Sequence, residues 1–185
     1  EAIAKSLVFY VNFGNEPALE TKLEEYVYAK MSTELLDLYD IDIDDAAFVR
    51  SVYNAELNRF KKGIYGALRD SDPQEYTRQE LQLLVSLTAQ RASHLKRSLE
   101  HVRATSRRTS IVVLDNIDQR PSEFQDRVFL IAQALADSWP ATVFVSLRFG
   151  LDGFEIVLVV KGEGSAEAVG AEMLDEGAGH FVPVF

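Results

Sequence analysis

The sequence predicts an α/β fold in which a parallel sheet carries a long helical insertion. Three observations predict it. Residues 7–13 (LVFYVNF), 109–114 (TSIVVL) and 142–147 (TVFVSL) are short apolar runs rich in β-branched and aromatic residues, the pattern of buried strands. One amphipathic segment joins the second run to the third, which is the signature of a βαβ unit. The long stretch between the first and second runs spaces its apolar residues as helices do.

The first strand is bounded by Gly14 and Asn15. Glu16 and Pro17 then open a helix over about residues 18–39, with Leu19, Leu23, Tyr26, Val27, Met31, Leu35 and Leu38 recurring at helical spacing. Pro17 suits a first helical turn, where its missing donor is not needed. The acidic stretch 40–45 reads as a linker that favours the start of the next helix. That helix is expected as one piece over about residues 45–68, weakened at its end by Gly63 and Gly66. Asp72, Pro73 and Glu75 spell a capping box, from which a helix is expected to run to about residue 104. At 1.5 Å per residue it would be roughly 50 Å long, so the two long helices are expected to form a projecting hairpin arm. Residues 121–139 form the helix of the βαβ unit, with Ser122 and Gln125 as a second capping box. In the tail, 154–160 reads as a strand, 162–165 as a turn and 166–174 as a weak helix. Residues 180–185 read as an edge strand because of Pro183.

Composition narrows the function. The 185 residues are 47% apolar and 26% charged, with a formal net charge of −10. An acidic chain argues against a nucleic-acid-binding face, which needs clustered Lys and Arg. The one basic cluster, Arg103 with Arg107 and Arg108, reads as a solvated helix end. Without cysteine there are no disulfides and no thiolate metal sites. No apolar run reaches the ~18 residues of a membrane span, and no signal peptide opens the chain, so a cytoplasmic setting is expected. The opening at Glu1, directly into an apolar run, reads as an internal cut or a processed start. His94 and His101 lie on one predicted helix and His180 in the tail; lacking a third ligand at metal spacing, they read as solvated histidines. No G-x-S-x-G elbow is present for a serine nucleophile.

The chemically informative segment is residues 111–118, IVVLDNID. An apolar strand ends in Asp115, and ligands of open α/β sheets bind at the carboxyl ends of the strands. Magnesium takes hard oxygen ligands and keeps several waters, so an acid at a strand tip can hold it without entering the core. Asp is also a common turn and capping residue, which leaves an ordinary capped turn as the plain reading of the same residues.

The run IVVLDNIDQR (111–120), the helix FQDRVFLIAQALADS (124–138) and the strand TVFVSLR (142–148) together resemble the Walker B to sensor-1 part of AAA+-related P-loop ATPases, and most of all the KAP and STAND-like bacterial ATPases. Residues 9–31 and 48–68 also look like the second strand and helical insertion of such proteins. The resemblance implies a parallel-sheet P-loop NTPase-like core over residues 1–148, incomplete, with its insertion over about 40–105, and leaves residues 149–185 unassigned. It implies ATP and Mg2+ as cofactors and a nucleotide-driven regulatory role towards a protein partner or a second copy. Asp115 matches the magnesium-organising acid. The next position, often a Glu that acts as base, is Asn116, which can orient a water but cannot take its proton. Asp118 is then the nearest substitute base. Ser146 and Arg148 match the end of the sensor strand, beside the nucleotide's terminal phosphate.

The departures are equally plain. No G-x-x-x-x-G-K-[ST] loop occurs, and no Gly-Lys pair. The stretch KGEGS (161–165) has the wrong order, and Glu163 would repel phosphate. In the family the phosphate loop precedes the strand at Leu7, so its absence fits a chain cut just downstream of it. After Arg148 the relatives continue with a Pro and a polar loop, whereas Phe149 and Gly150 follow here. The expectation is part of an ATP-hydrolysing regulatory ATPase, with this chain alone inactive. The rival is a non-catalytic interaction module on a degenerate ATPase fold.

Overall fold

A computed structural model describes residues 6–14, 22–149, 154–160, 171–174 and 182–183. Pro17, the start expected at 18, the turn at 162–165 and His180 lie outside the described residues. The strands are β1 (Ser6–Asn12), β2 (Thr109–Asp115), β3 (Ala141–Phe149), β4 (Phe154–Val160), β5 (Ala171–Leu174) and β6 (Val182–Pro183). They form one six-stranded sheet in sequence order. β1, β2 and β3 run parallel, and β4, β5 and β6 are added antiparallel. The fold is therefore α/β, with a small parallel sheet under a mostly helical layer.

Strands added in one direction by right-handed crossovers place all their helices on one face. The burial pattern agrees. Leu7, Phe9 and Val11 of β1, Val112 and Leu114 of β2, and Val143 and Val145 of β3 are fully buried and share a face. They pack against α1 (Leu23–Tyr39), α6 (Arg91–Ser106) and α7 (Ser122–Ser138) through Val27, Met31, Leu35, Leu95, Leu99, Val128 and Leu135, among others. On the opposite face Val8, Ile111, Val113 and Phe144 are only half-buried. The outer edge of β1 is closed by α1. Tyr39 Oη accepts from Val8 N (2.6 Å) and donates to Val8 O (3.0 Å), and Glu34 Oε2 accepts from Tyr10 N (2.8 Å). Such capping removes the pairing surface an edge strand would offer.

Several expectations are corrected. The helix expected over 45–68 is broken into α2 (Ala46–Val52), α3 (Asn54–Lys62), a 3-10 turn (Ile64–Ala67) and α4 (Leu68–Ser71). Within that turn only glycine fits at 66, because a Cβ there would lie 2.1 Å from the Lys61 carbonyl oxygen. The helix expected over 73–104 is two helices, α5 (Pro73–Thr88) and α6, parted at Ala89 and Gln90. No Gly or Pro marks that break. It divides α5, which packs through Leu84 on a small separate cluster with Val49, Tyr53 and Leu57, from α6, which packs on the sheet core. Asp72 caps α5 by accepting from Glu75 N (3.0 Å), but the Glu75 carboxylate turns to Gln79 and Arg78 instead of closing the box. At α7 the capping residue is Pro121, and no side-chain cap forms; Gln125 Nε2 donates to Arg120 O (2.8 Å). Residues 171–174 form a strand, not the helix expected over 166–174.

The histidines are also corrected. His94 is fully buried, not solvated. Its Nε2 lies 2.8 Å from Ile43 O and its Nδ1 3.0 Å from Tyr53 Oη, and the two rings stack at 5.6 Å. It joins the small helical cluster to α6. His101 is half-buried beside Phe48 and within 3.2 Å of Ser51 Oγ. No helix among the described residues is long and apolar enough to cross a membrane.

Candidate functional site

Asp115 is the last residue of β2, the middle strand of the parallel trio, and pairs with Asn12, the last residue of β1. Its side chain belongs to the half-buried face, opposite the helices, because it alternates with Leu114. The chain turns sharply after it. Asn116 takes the left-handed conformation (φ 58°), which Asn tolerates better than most residues. Ile117 then drives into the core, fully buried, and pins the loop. Arg120 holds the two strand-end loops together: its Nε donates to Phe13 O (2.8 Å), and its guanidinium lies 5.4 Å from the centre of the Phe124 ring. Phe13 N donates to Asp115 O (3.0 Å). Gly14 sits against the same loop, where a Cβ would meet Gln119 Oε1 at 3.1 Å and Asn116 Cβ at 3.3 Å.

Asp115 is 7% exposed. Asn116 N donates to Oδ1 (2.8 Å) and Asn116 Nδ2 to Oδ2 (3.3 Å). Tyr10 Oη, from the neighbouring strand, also donates to Oδ2. Tyr10 reaches it because its strand partner is Val113, so Asp115 is the diagonal neighbour two residues on. Gln119 Nε2 donates to Asn116 Oδ1 (3.0 Å), fixing the amide that faces the acid. Asp118 follows in the same loop; its Oδ1 is buried and has no hydrogen-bond partner among the described residues. Ser146 lies one residue beyond the last parallel pair, Leu114 with Val145, and so is level with Asp115 on the adjacent strand. It is buried. Arg148 lies further along β3, where its backbone pairs with Glu155 of β4.

The sheet thus brings Asp115, Asn116 and Ser146 to one edge. Sequence reasoning missed Tyr10, Asn12, Gly14, Gln119 and Arg120. The contact of Tyr10 with Asp115 joins residues 105 apart in sequence and had no local signal. The loop contacts of Gly14, Gln119 and Arg120 depend on two distant segments meeting and had none.

Magnesium can be tested against this donor set. No group of three or more His, Asp or Glu gathers among the described residues, which excludes an all-protein cage there. A hydrated ion held by one carboxylate needs no such cage, and the unpartnered Asp118 Oδ1 is an acceptor in want of a donor. To a hydrated ion the described residues of this edge offer one strand-tip carboxylate, Asp115, whose oxygens already accept hydrogen bonds from Asn116 and Tyr10. The described residues do not supply a phosphate cradle, because no Gly-Lys loop exists in the chain. A cleft of about 670 Å³ opens at the other end of the sheet, where Glu100, Arg103, Thr109, Asp137, Trp139 and Thr142 line the amino-terminal ends of β2 and β3. Its residues carry none of the strand-tip chemistry. Compared with models of known families, with curated proteins and with solved structures, the chain matches none of them.

Proposed function

We propose that this chain is part of an ATP-binding, ATP-hydrolysing regulatory P-loop ATPase, for which it supplies the magnesium-organising acid and the sensor strand. The observation that carries the reading is the position of Asp115 at the carboxyl tip of the middle of three parallel strands, the edge where open α/β sheets bind ligands. Asp115 would hold magnesium through water, with Ser146 and Arg148 on the adjacent strand as the nucleotide-facing residues. Bound magnesium neutralises charge on phosphate oxygens. Asn116 carries no group that takes a proton from water, and Asp118 is the residue this reading leaves for that task. The backbone amides and Lys that cradle phosphates come, in this reading, from outside these 185 residues.

Calorimetric titration of the chain with Mg-ATP tests it. The expected result is weak binding that needs magnesium and is lost in Asp115→Ala. Tight binding that survives Asp115→Ala would place the phosphate site elsewhere and end the proposal.

Two observations favour a second reading, an interaction module that keeps the sheet and has lost catalysis. The position after the acid is Asn116, and Leu81 and Val85 expose one apolar side of α5 (57% and 59%). In that case Asp115→Ala leaves the function of the full-length protein unchanged, whereas Leu81→Ser with Val85→Ser abolishes it.

A further inference from the structure

We propose that the cleft at the amino-terminal ends of β2 and β3 is a binding site for a neutral sugar ring, separate from the strand tips and independent of the reading of Asp115. The cleft holds about 670 Å³ between the carboxyl-terminal ends of α6 and α7, within the roughly 300–1,000 Å³ of small-molecule sites. Ser110 lines it and is 3% exposed. It shares the helix-covered face of β2 with Val112 and Leu114, and its cross-strand neighbours are Leu7 and Ala141. Packing alone would place an apolar residue there. The Ser110 hydroxyl has no hydrogen-bond partner among the described residues. A buried polar group in that state is costly, and a ligand hydroxyl is a partner that can both donate to it and accept from it.

The charged lining narrows the class of ligand. Glu100 and Arg103 of α6 and Asp137 of α7 line the same cleft. Glu100 and Arg103 stand three apart on one helix, the spacing at which Lys22 pairs with Glu25 and Glu75 with Arg78. Yet neither they nor Asp137 form an ion pair among the described residues. The cleft thus offers groups that only accept, at Glu100 and Asp137, and one that only donates, at Arg103. The last turn of α7 carries no basic residue, so its terminal carbonyls add to the acceptors. A cationic ligand would meet Arg103, and an anionic one the two acids. A ligand of several neutral hydroxyls, each donor and acceptor at once, meets them all. Trp139 favours a ring over an open polyol. Its indole lines the cleft and is fixed by stacking on Tyr28, with ring centres 5.0 Å apart. A flat indole covers the C–H side of a sugar ring while its N–H still bonds a hydroxyl, and a wall already in place costs little ordering on binding.

The chain has a single tryptophan, so its intrinsic fluorescence reports on this cleft. The full 185-residue chain is titrated with D-glucose, D-galactose, D-mannose and maltose, with sorbitol as the open-chain control. At least one of the sugars is expected to change the Trp139 emission saturably, and sorbitol is not. Ser110→Ala is expected to bind that sugar about tenfold more weakly, the scale of one hydrogen bond. Its Tm should equal or exceed that of wild type, because the hydroxyl removed has no partner in the folded chain. A hydroxyl with a purely structural role would instead lower Tm when removed. Asp137→Asn, at an exposed position, is expected to weaken the same sugar and keep Tm. No saturable change with any of the four sugars, or an equal response to sorbitol, overturns the proposal. So does a Ser110→Ala chain less stable than wild type, or sugar binding that either variant leaves unchanged. None of these outcomes bears on Asp115.

Discussion

Replacing Tyr53 with Phe removes one oxygen from the junction between the small helical cluster and the sheet layer, and little else. Tyr53 is 1% exposed. Its hydroxyl donates to Leu87 O (3.2 Å), a carbonyl in the last turn of α5 that lacks a helical partner, and lies 3.0 Å from His94 Nδ1. Burial pushes the Tyr53 hydroxyl above its ordinary value, so it remains a donor. Phe keeps the ring, its stacking on His94 and its position under Arg97 (5.0 Å). The change therefore isolates the hydrogen bonds. A buried polar group left unsatisfied costs about 1–3 kcal/mol. The single hydroxyl proton serves one acceptor at a time, so the expected loss is one such cost, about 2 kcal/mol. At about 2–4 °C per kcal/mol for a domain of this size, Tm falls by about 4–8 °C. Amide exchange locates the effect. Protection in α2, α3 and α5 should fall about thirtyfold, since about 1.4 kcal/mol is a factor of ten, while β1 to β3 change little. A loss under about 0.5 kcal/mol, or an equal loss of protection in the sheet, would refute the view that this hydroxyl holds the cluster to α6.

Asp45 accepts from Ala47 N and Phe48 N, both at 2.9 Å, as the cap of α2; Asp45→Ala should cost about 1 kcal/mol by urea unfolding. Asn116 sits at φ 58°, so Asn116→Gly should unfold at higher urea than Asn116→Ala, with about 1–2 kcal/mol between them. The Arg91 guanidinium, hydrogen-bonded to Asp44 at 2.5 and 2.9 Å, holds that carboxyl below the ordinary aspartate value. A carboxyl depressed in the folded state stabilises above its unfolded value, about 3.9, and that contribution is lost as pH falls through the lower folded value. Arg91→Ala should therefore reduce the loss of stability on acidification below about pH 4, by less than about 1 kcal/mol because both partners are half exposed.

How far the sequence could be read depended on how local each signal is. The strands β1, β2 and β3, the helix α7 and the cap at Asp72 were legible because each is a short run with its own pattern. The α5–α6 break at Gln90 was not, because it is imposed by two cores some distance apart in the chain and by no residue at the break. The TSIVVL run predicted a strand buried on both faces, yet Ile111 and Val113 are only half-buried; the helices follow from one direction of strand addition and cover one face. At the candidate site, Asp115 was legible as an acid closing an apolar run. Its hydrogen bond from Tyr10 was not, because it joins residues 105 apart in sequence. His94 read as a surface residue because nothing near it in sequence announces Ile43 and Tyr53 as partners.

The most direct test of the account is a paramagnetic map. Mn2+ is added at low stoichiometry to the isotope-labelled chain, and backbone amide broadening is measured residue by residue. Broadening is expected to centre on Asp115 and Asn116, to extend to the ends of β1 and β3 near Asn12 and Ser146, and to be lost in Asp115→Ala. Broadening centred on the cleft at Arg103 and Asp137, or persisting around the strand tips in Asp115→Ala, would contradict it.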